Sequence, residues 1–350
     1  MLKKLILQAM KRLILFSILI VAMLFSRLTF AQLTHFSQYY SSPTTLGPSF
    51  AGLNRQSKAV INYRDQWPNI PGKFVTYAIA VDHFIDKRNS GVGMSIFRDE
   101  AGTGKLRVTE VALHYCYDFK MTRNLHSRPG ASIKFNQRGL NFRDLTFSDQ
   151  YLGSLDGTPL ATSTENPTVD HKGYVDAAMS WLVYGKKFWA GVTVDHLMRP
   201  NQSLYEEDSR VNLLFTSYGG YKMQLKDKKR RRIKDESLTF SYRFKMQGSF
   251  KTMDMGASWT KKDFTAGVYY RGMPYLNNDE KGYKNSDALI LLVGYKFYSL
   301  SVGYSYDITV NKELMGSAGG AHEISLIYDF SIGKRPAKNK KHTPIPCPGF

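Results

Sequence analysis

The sequence predicts an all-β protein: a closed antiparallel transmembrane β-barrel of about 14 strands, with a periplasmic N-terminal segment and a periplasmic C-terminal tail. Three observations carry that reading. A leader of export type opens the chain. Long stretches after it alternate apolar with small polar residues at a period of two. No segment beyond the leader runs 18 apolar residues, which leaves no candidate for a spanning helix. An exported chain with amphipathic strands and no spanning helix crosses lipid only as a closed sheet, because an open edge leaves backbone groups unpaired in hydrocarbon.

Residues 1–31 read as a signal peptide. Lys3, Lys4, Lys11 and Arg12 precede an apolar run from Leu13 to Phe25, and Thr29-Phe30-Ala31 sets cleavage between Ala31 and Gln32. Residues 32–56 form an N-terminal periplasmic or plug segment, in which Phe36, Tyr39, Tyr40 and Phe50 stand among Ser, Pro and Gly with neither helical nor strand period. Their aromatic content predicts order, with the segment packed in the lumen or under the barrel.

The barrel itself is expected over residues 57–333. Strands are predicted at Ser57–Trp67, Val75–Phe84, Gly91–Phe97, Arg107–Lys120, Ala131–Arg138, Tyr174–Tyr184 and Phe188–Leu197. The remaining seven are Val211–Leu225, Ser237–Gln247, Thr252–Thr260, Phe264–Arg271, Ala288–Phe297, Leu300–Ile308 and His322–Ile332. The fourth is the clearest: Val111, Leu113, Tyr115, Tyr117 and Phe119 face one way, Glu110, Ala112, His114, Cys116 and Asp118 the other. The last hairpin is nearly as clean, with Leu300, Val302, Tyr304 and Tyr306 opposed to Ser301, Gly303, Ser305 and Asp307. In its second arm only Ile327 breaks the alternation. Aromatic residues on one face and small polar ones on the other suit a wall between lipid and a wet lumen. A soluble β-sandwich is the competing architecture, and this aromatic density on one face speaks against it.

Loop parity supports the even count. With both termini periplasmic, the outward connections are the long ones, among them Arg98–Leu106, Gly139–Gly173, Met198–Arg210, Gly272–Asp287 and Thr309–Ala321. Inward connections such as Gly185–Lys187 and Tyr298–Ser299 are tight, and Gly248–Lys251 is a short exception on the outward side. The formal charge is +19, and removing the five basic residues of the leader leaves +14. Much of it sits in the inward loop Lys226–Glu236, with Arg230, Arg231 and Arg232, and in a basic periplasmic tail, residues 334–350, with Lys340 and Lys341. Both suit docking of an acidic periplasmic partner. This topology excludes nucleic acid.

A hydrophobic content of 43% excludes a disordered chain. Two cysteines, Cys116 and Cys347, are too few for a disulfide framework. No enzyme is predicted and no cofactor. There is no Gly-x-Ser-x-Gly elbow and no His-Glu-x-x-His, and the eight histidines lack ligand spacing. Asp82-His83 and Asp195-His196 put neighbours on opposite strand faces, so neither pair acts as one unit without a partner from elsewhere.

Several stretches, in order along the chain, resemble the PorP/SprF family of outer-membrane proteins from the type IX secretion and gliding systems of Bacteroidota. They are His35-Phe36-Ser37-Gln38-Tyr39-Tyr40, Pro48-Ser49-Phe50-Ala51-Gly52, Tyr63-Arg64-Asp65-Gln66-Trp67, Tyr270-Arg271-Gly272, Gly303 to Ile308 and Gly320 to Leu326. The resemblance implies a non-catalytic barrel that helps export or anchor a secreted adhesin-like substrate with a type B C-terminal sorting domain. Its further partners would be type IX secretion components and outer-membrane lipid. Contact residues expected from the sequence are Phe36, Tyr39, Tyr40, Phe50, Arg230, Arg231, Arg232, Lys340, Lys341 and Cys347. An outer-membrane channel for small solutes is the alternative, with Arg243, Lys245, Arg271 and Asp307 lining a pore. Of the last hairpin's polar residues, Asp307 is expected in the lumen, and His322 and Glu323 at the outer rim.

Overall fold

The computed structural model describes residues 36–55, 57–72, 74–142, 145–147, 150, 169–205, 207–226, 233–277, 284–310, 319–331 and 345–346. The signal peptide, Arg230 to Arg232, Lys340, Lys341 and Cys347 lie outside the described residues.

Fourteen antiparallel staves close into one barrel. They are β1 (Ser57–Gln66), β2 (Phe74–Ile85), β3 (Ser90–Ala101), β4 (Leu106–Tyr117), β5 (His126–Gly139), β6 (His171–Tyr184) and β7 (Phe188–Asp195). The circle continues with β8 (Leu214–Lys226), β9 (Ile233–Gln247), β10 (Phe250–Lys261), β11 (Phe264–Asn277), β12 (Lys284–Phe297), β13 (Leu300–Thr309) and β14 (Ala321–Phe330). A two-residue piece, Phe119–Lys120, prolongs β4 past Asp118. Each stave pairs with its chain neighbour, β4 with β5 included, and β1 closes on β14 from Ser57↔Phe330 to Gln66↔Ala321.

Side chains alternate as the sequence predicts. On β13, Ser301, Ser305 and Asp307 are buried in the lumen while Leu300, Tyr304 and Ile308 are exposed outside. On β4, Leu113, Tyr115 and Tyr117 point out, and Ala112, His114 and Cys116 point in. Ile327, the break in the β14 pattern, faces inward and packs with Val60 and Ala80. Apolar exposure of this kind is the lipid-facing band of a barrel, not a soluble surface.

The staves run further than the alternation alone predicts. β3 reaches Ala101 and β11 reaches Asn277, so the connections expected at Arg98–Leu106 and Gly272–Asp287 are partly strand. β5 begins five residues early, at His126, because its first inward positions are His126 and Arg128 and the polar run hides the period. The long connections gather at one end of the barrel, at 67–73, 140–170, 196–213 and 310–320, and tight turns such as 185–187, 262–263 and 298–299 gather at the other. The short turns at 102–105 and 248–249 are the exceptions on the long-connection side.

Of the two placements expected for the N-terminal segment, in the lumen or under the barrel, residues 36–55 take the first. Short 3-10 turns at Pro43–Thr45, Pro48–Phe50 and Leu53–Arg55 fold Phe36 to Arg55 into a compact strand-free plug. The two described residues of the tail are also buried, and Ile345 joins the cluster formed by Tyr39, Tyr40, Leu46, Phe50, Tyr218 and Tyr269. At those two residues the tail is packed rather than solvated.

Candidate functional site

The site grows from a physical problem. Arg64, Arg243, Arg271, Asp254, Asp307 and Glu323 all alternate inward, so each is a charge without bulk water unless something answers it. They answer one another. Arg64 Nη2 lies 2.8 Å from Asp307 Oδ2, and Arg271 Nη1 lies 3.1 Å from the same oxygen. Arg271 Nε reaches Asp254 Oδ1 at 2.8 Å, and Arg243 pairs with Asp254 through Nε and Nη2. Arg64 Nη1 reaches Glu323 Oε2 at 3.2 Å. Three cations and three anions form one chain across β1, β9, β10, β11, β13 and β14.

That chain grips the plug by its backbone. Glu323 uses both carboxylate oxygens, accepting the Ser37 N–H at 2.7 Å and the Gln38 N–H at 2.9 Å. The Ser37 hydroxyl donates to Asp307 at 2.6 Å and accepts from Arg64 and Arg271 at 2.8 and 2.9 Å. Gln38 Nε2 donates to the Glu323 carbonyl, and Gln38 Oε1 accepts from Ser325. Arg243 donates to the Phe36 carbonyl at 2.9 Å and lies 4.5 Å from the Tyr39 ring centroid. Charge-assisted bonds of this kind are roughly twice as strong as neutral ones.

Lower in the lumen the grip is neutral or singly charged. Thr193 donates to the Leu46 carbonyl at 2.7 Å, the Ser49 N–H donates to Ser180 at 2.8 Å, and the Gly52 N–H donates to Asp82 at 2.9 Å. The Ala51 carbonyl accepts from Cys116 and Arg128. Two wall glycines permit this approach: a Cβ on Gly91 would overlap the Ala51 carbonyl, and one on Gly130 would sit 2.6 Å from the Ser49 nitrogen. The plug therefore descends through the lumen. Ser37 and Gln38 sit near the long-connection end, beside residues two positions from the tips of β1, β13 and β14. Arg55 pairs with Asp86 in the tight turn after β2, at 3.3 Å.

Phe36, Tyr39, Tyr40 and Phe50 are thus all buried against their own barrel. Of the four residues expected to line a pore, Arg243, Arg271 and Asp307 belong to the network that holds the plug, and Asp307 is in the lumen as predicted. Glu323 corrects its expectation. It is a lumen residue with no exposed surface, whereas His322 faces outward against Tyr304 at 2.8 Å. The sequence showed Arg64 and Glu323 only as parts of motifs, and their pairing with Ser37 and Gln38 is invisible to any local pattern.

A second polar group stands on the wall near the long-connection end. Lys134 lies 2.6 Å from Asp195 Oδ2 and 3.3 Å from Glu110 Oε2, and His196 Nδ1 lies 2.6 Å from Asp176 Oδ2. The predicted strand ran through Leu197, but β7 stops at Asp195 and His196 takes a left-handed φ of 59°. That turn gives His196 the outside partner it needed. Asp176, Asp195 and His196 bring donor atoms within 4.8 Å of one another, a grouping the sequence spacing did not reveal. Lys134 already supplies the cation there.

The sequence profile of the family described as type IX secretion system membrane protein PorP/SprF matches residues 28–328. No curated protein matches the chain. Among solved structures it is similar to the CymD monoaromatic hydrocarbon channel, at 10% identity and a TM-score of 0.47 over 83% of this chain and 93% of that one. It is also similar to a Pseudomonas aeruginosa FadL homologue, at 14% identity and a TM-score of 0.40 over 81% and 92%, and to the KdgM porin, at 13% identity and a TM-score of 0.33 over 77% and 99%. The stretches that carry the family resemblance, around Ser37, Arg64, Arg271, Asp307 and Glu323, are those that meet in the charged network. The chain belongs to the PorP/SprF family and is a secretion-related barrel of the outer membrane.

Proposed function

We propose that this member of the type IX secretion membrane proteins is a plugged, non-catalytic accessory that helps export or anchor one partner protein. The partner would be adhesin-like and carry a type B C-terminal domain. The observation that carries the reading is the occupied lumen: a segment inside it is tied to the wall by charged and backbone hydrogen bonds, which suits a scaffold better than a conduit. A channel for small solutes, the competing reading, requires that segment to leave. The long-connection end would face the cell exterior, where a secreted chain arrives. The tight turns and the basic loop and tail would face the periplasmic machinery.

Deleting the gene tests this. One large surface protein should disappear from the cell surface and accumulate inside the cell, while other type IX substrates are still secreted. Loss of every type IX substrate would instead indicate a part of the core machine, and loss of none would remove the accessory role.

A further inference from the structure

The barrel wall is low beside β6. β6 pairs with β5 along its entire length, from His126↔Tyr184 to Gly139↔His171. Its other neighbour, β7, spans only eight residues and pairs with β6 only from Tyr184 up to Met179. Beyond Asp195 the chain still holds β6 at Ala177 and Asp176: the Leu197 N–H donates to the Ala177 carbonyl at 3.0 Å, the Met198 N–H donates to Asp176 Oδ1 at 3.3 Å, and His196 Nδ1 lies 2.6 Å from Asp176 Oδ2. The chain then turns away through His196 and Arg199, whose φ values are 59° and 45°. Among the described residues the upper part of β6, from His171 to Val175, pairs with nothing on the β7 side and stands as a free edge.

Alternation says which groups that edge presents. In an antiparallel strand, each residue aims its N–H and C=O to one side, and the next residue aims them to the other. Ala177 aims its carbonyl toward the β7 side, so Val175 and Gly173 do the same. Among the described residues the Val175 and Gly173 amides and carbonyls have no hydrogen-bond partner across that edge. Four unpaired backbone groups would cost several kcal/mol each in hydrocarbon, so this stretch stands in water beyond the membrane. Yet its outward face is apolar: Val175 is 50% exposed, its cross-strand neighbour Phe135 54%, and Met198 59%. An apolar ledge beside a free strand edge is a surface that waits for a strand.

We propose that the free edge of β6 captures an extended segment of the secreted partner by β-strand addition. The incoming strand continues the ladder that Leu197 begins, bonding to the backbones of Val175 and Gly173, about 7 Å apart along the edge. Its outward side chains are apolar and rest on Val175. Its inward ones are polar and face Tyr174. The inference rests on the accessory reading above and gives it a contact surface.

The substitution Val175→Pro tests it, because proline removes the free-side N–H without touching a bond to β5 and is tolerated on strand edges. The probe is the purified C-terminal domain of whichever surface protein the deletion strain fails to export, titrated against the full-length barrel in detergent. V175P should bind at least tenfold more weakly, and Val175→Thr, which keeps the N–H, within twofold of the unaltered protein. Equal binding by V175P and the unaltered protein would overturn the proposal. Hydrogen exchange over 171–176 provides a measurement free of any folding defect. In the unaltered barrel these amides should exchange fast alone and slowly in the complex. Slow exchange in the isolated monomer would show the chain covering its own edge, and a change of oligomeric state in V175P would show a second copy there. Either result overturns the assignment. If no single surface protein is lost on deletion, the accessory reading fails before the edge is tested.

Discussion

At the scale of single residues, Glu323 holds the most. One carboxylate answers Arg64 and two consecutive plug amides, so Glu323→Ala leaves two buried N–H groups without acceptors and takes from Arg64 one of its two carboxylate partners. Breaking a buried charged pair in this way costs about 3–5 kcal/mol. The variant should show a clearly lowered thermal unfolding midpoint in detergent, and Glu323→Gln, which keeps the shape and an acceptor, a smaller drop. Gly91 acts by lacking a side chain. Gly91→Val drives a branched group into the Ala51 carbonyl and should expose the bond after Arg55 to trypsin, with the barrel still intact on a gel. An uncut Gly91→Val protein would mean that the plug does not need that close approach.

At the scale of elements, the strands were legible because lipid outside and a polar lumen inside impose a strict period of two. The last hairpin makes the rule testable. Leu326 faces lipid mid-strand, so Leu326→Arg should cost about 2–4 kcal/mol of barrel stability, while His322→Arg near the strand end should cost about 1 kcal/mol or less. Urea unfolding in vesicles measures both. What the sequence hid was equally physical. Ser37 and Glu323 meet across nearly the whole chain, and no local period reports such a contact. The one available signal was an excess of inward arginines and carboxylates, which in a barrel must find partners. The end of β3 was missed because above the lipid the outward positions turn polar, as at Arg98 and Glu100, and the alternation fades while the ladder continues.

At the scale of the molecule, the plug decides between scaffold and conduit. In planar bilayers the intact protein should pass little current, and a variant lacking residues 36–55 should conduct like an open barrel. High conductance from the intact protein would favour the channel reading. The plug also bears on the order of assembly. Its first residues bond to Arg64 on the first strand and to Glu323 on the last, and the Ser37 amide and its acceptor are 286 residues apart in sequence. These two strands are also the ones that zip the cylinder shut. The docking of the N-terminal segment is therefore a late event, and closing so distant a loop makes it slow. Until β14 arrives, the Ser37 and Gln38 amides have no carboxylate to hold them. Once it does, the segment staples the seam from within, and the barrel can part between its first and last strands only by giving up its plug.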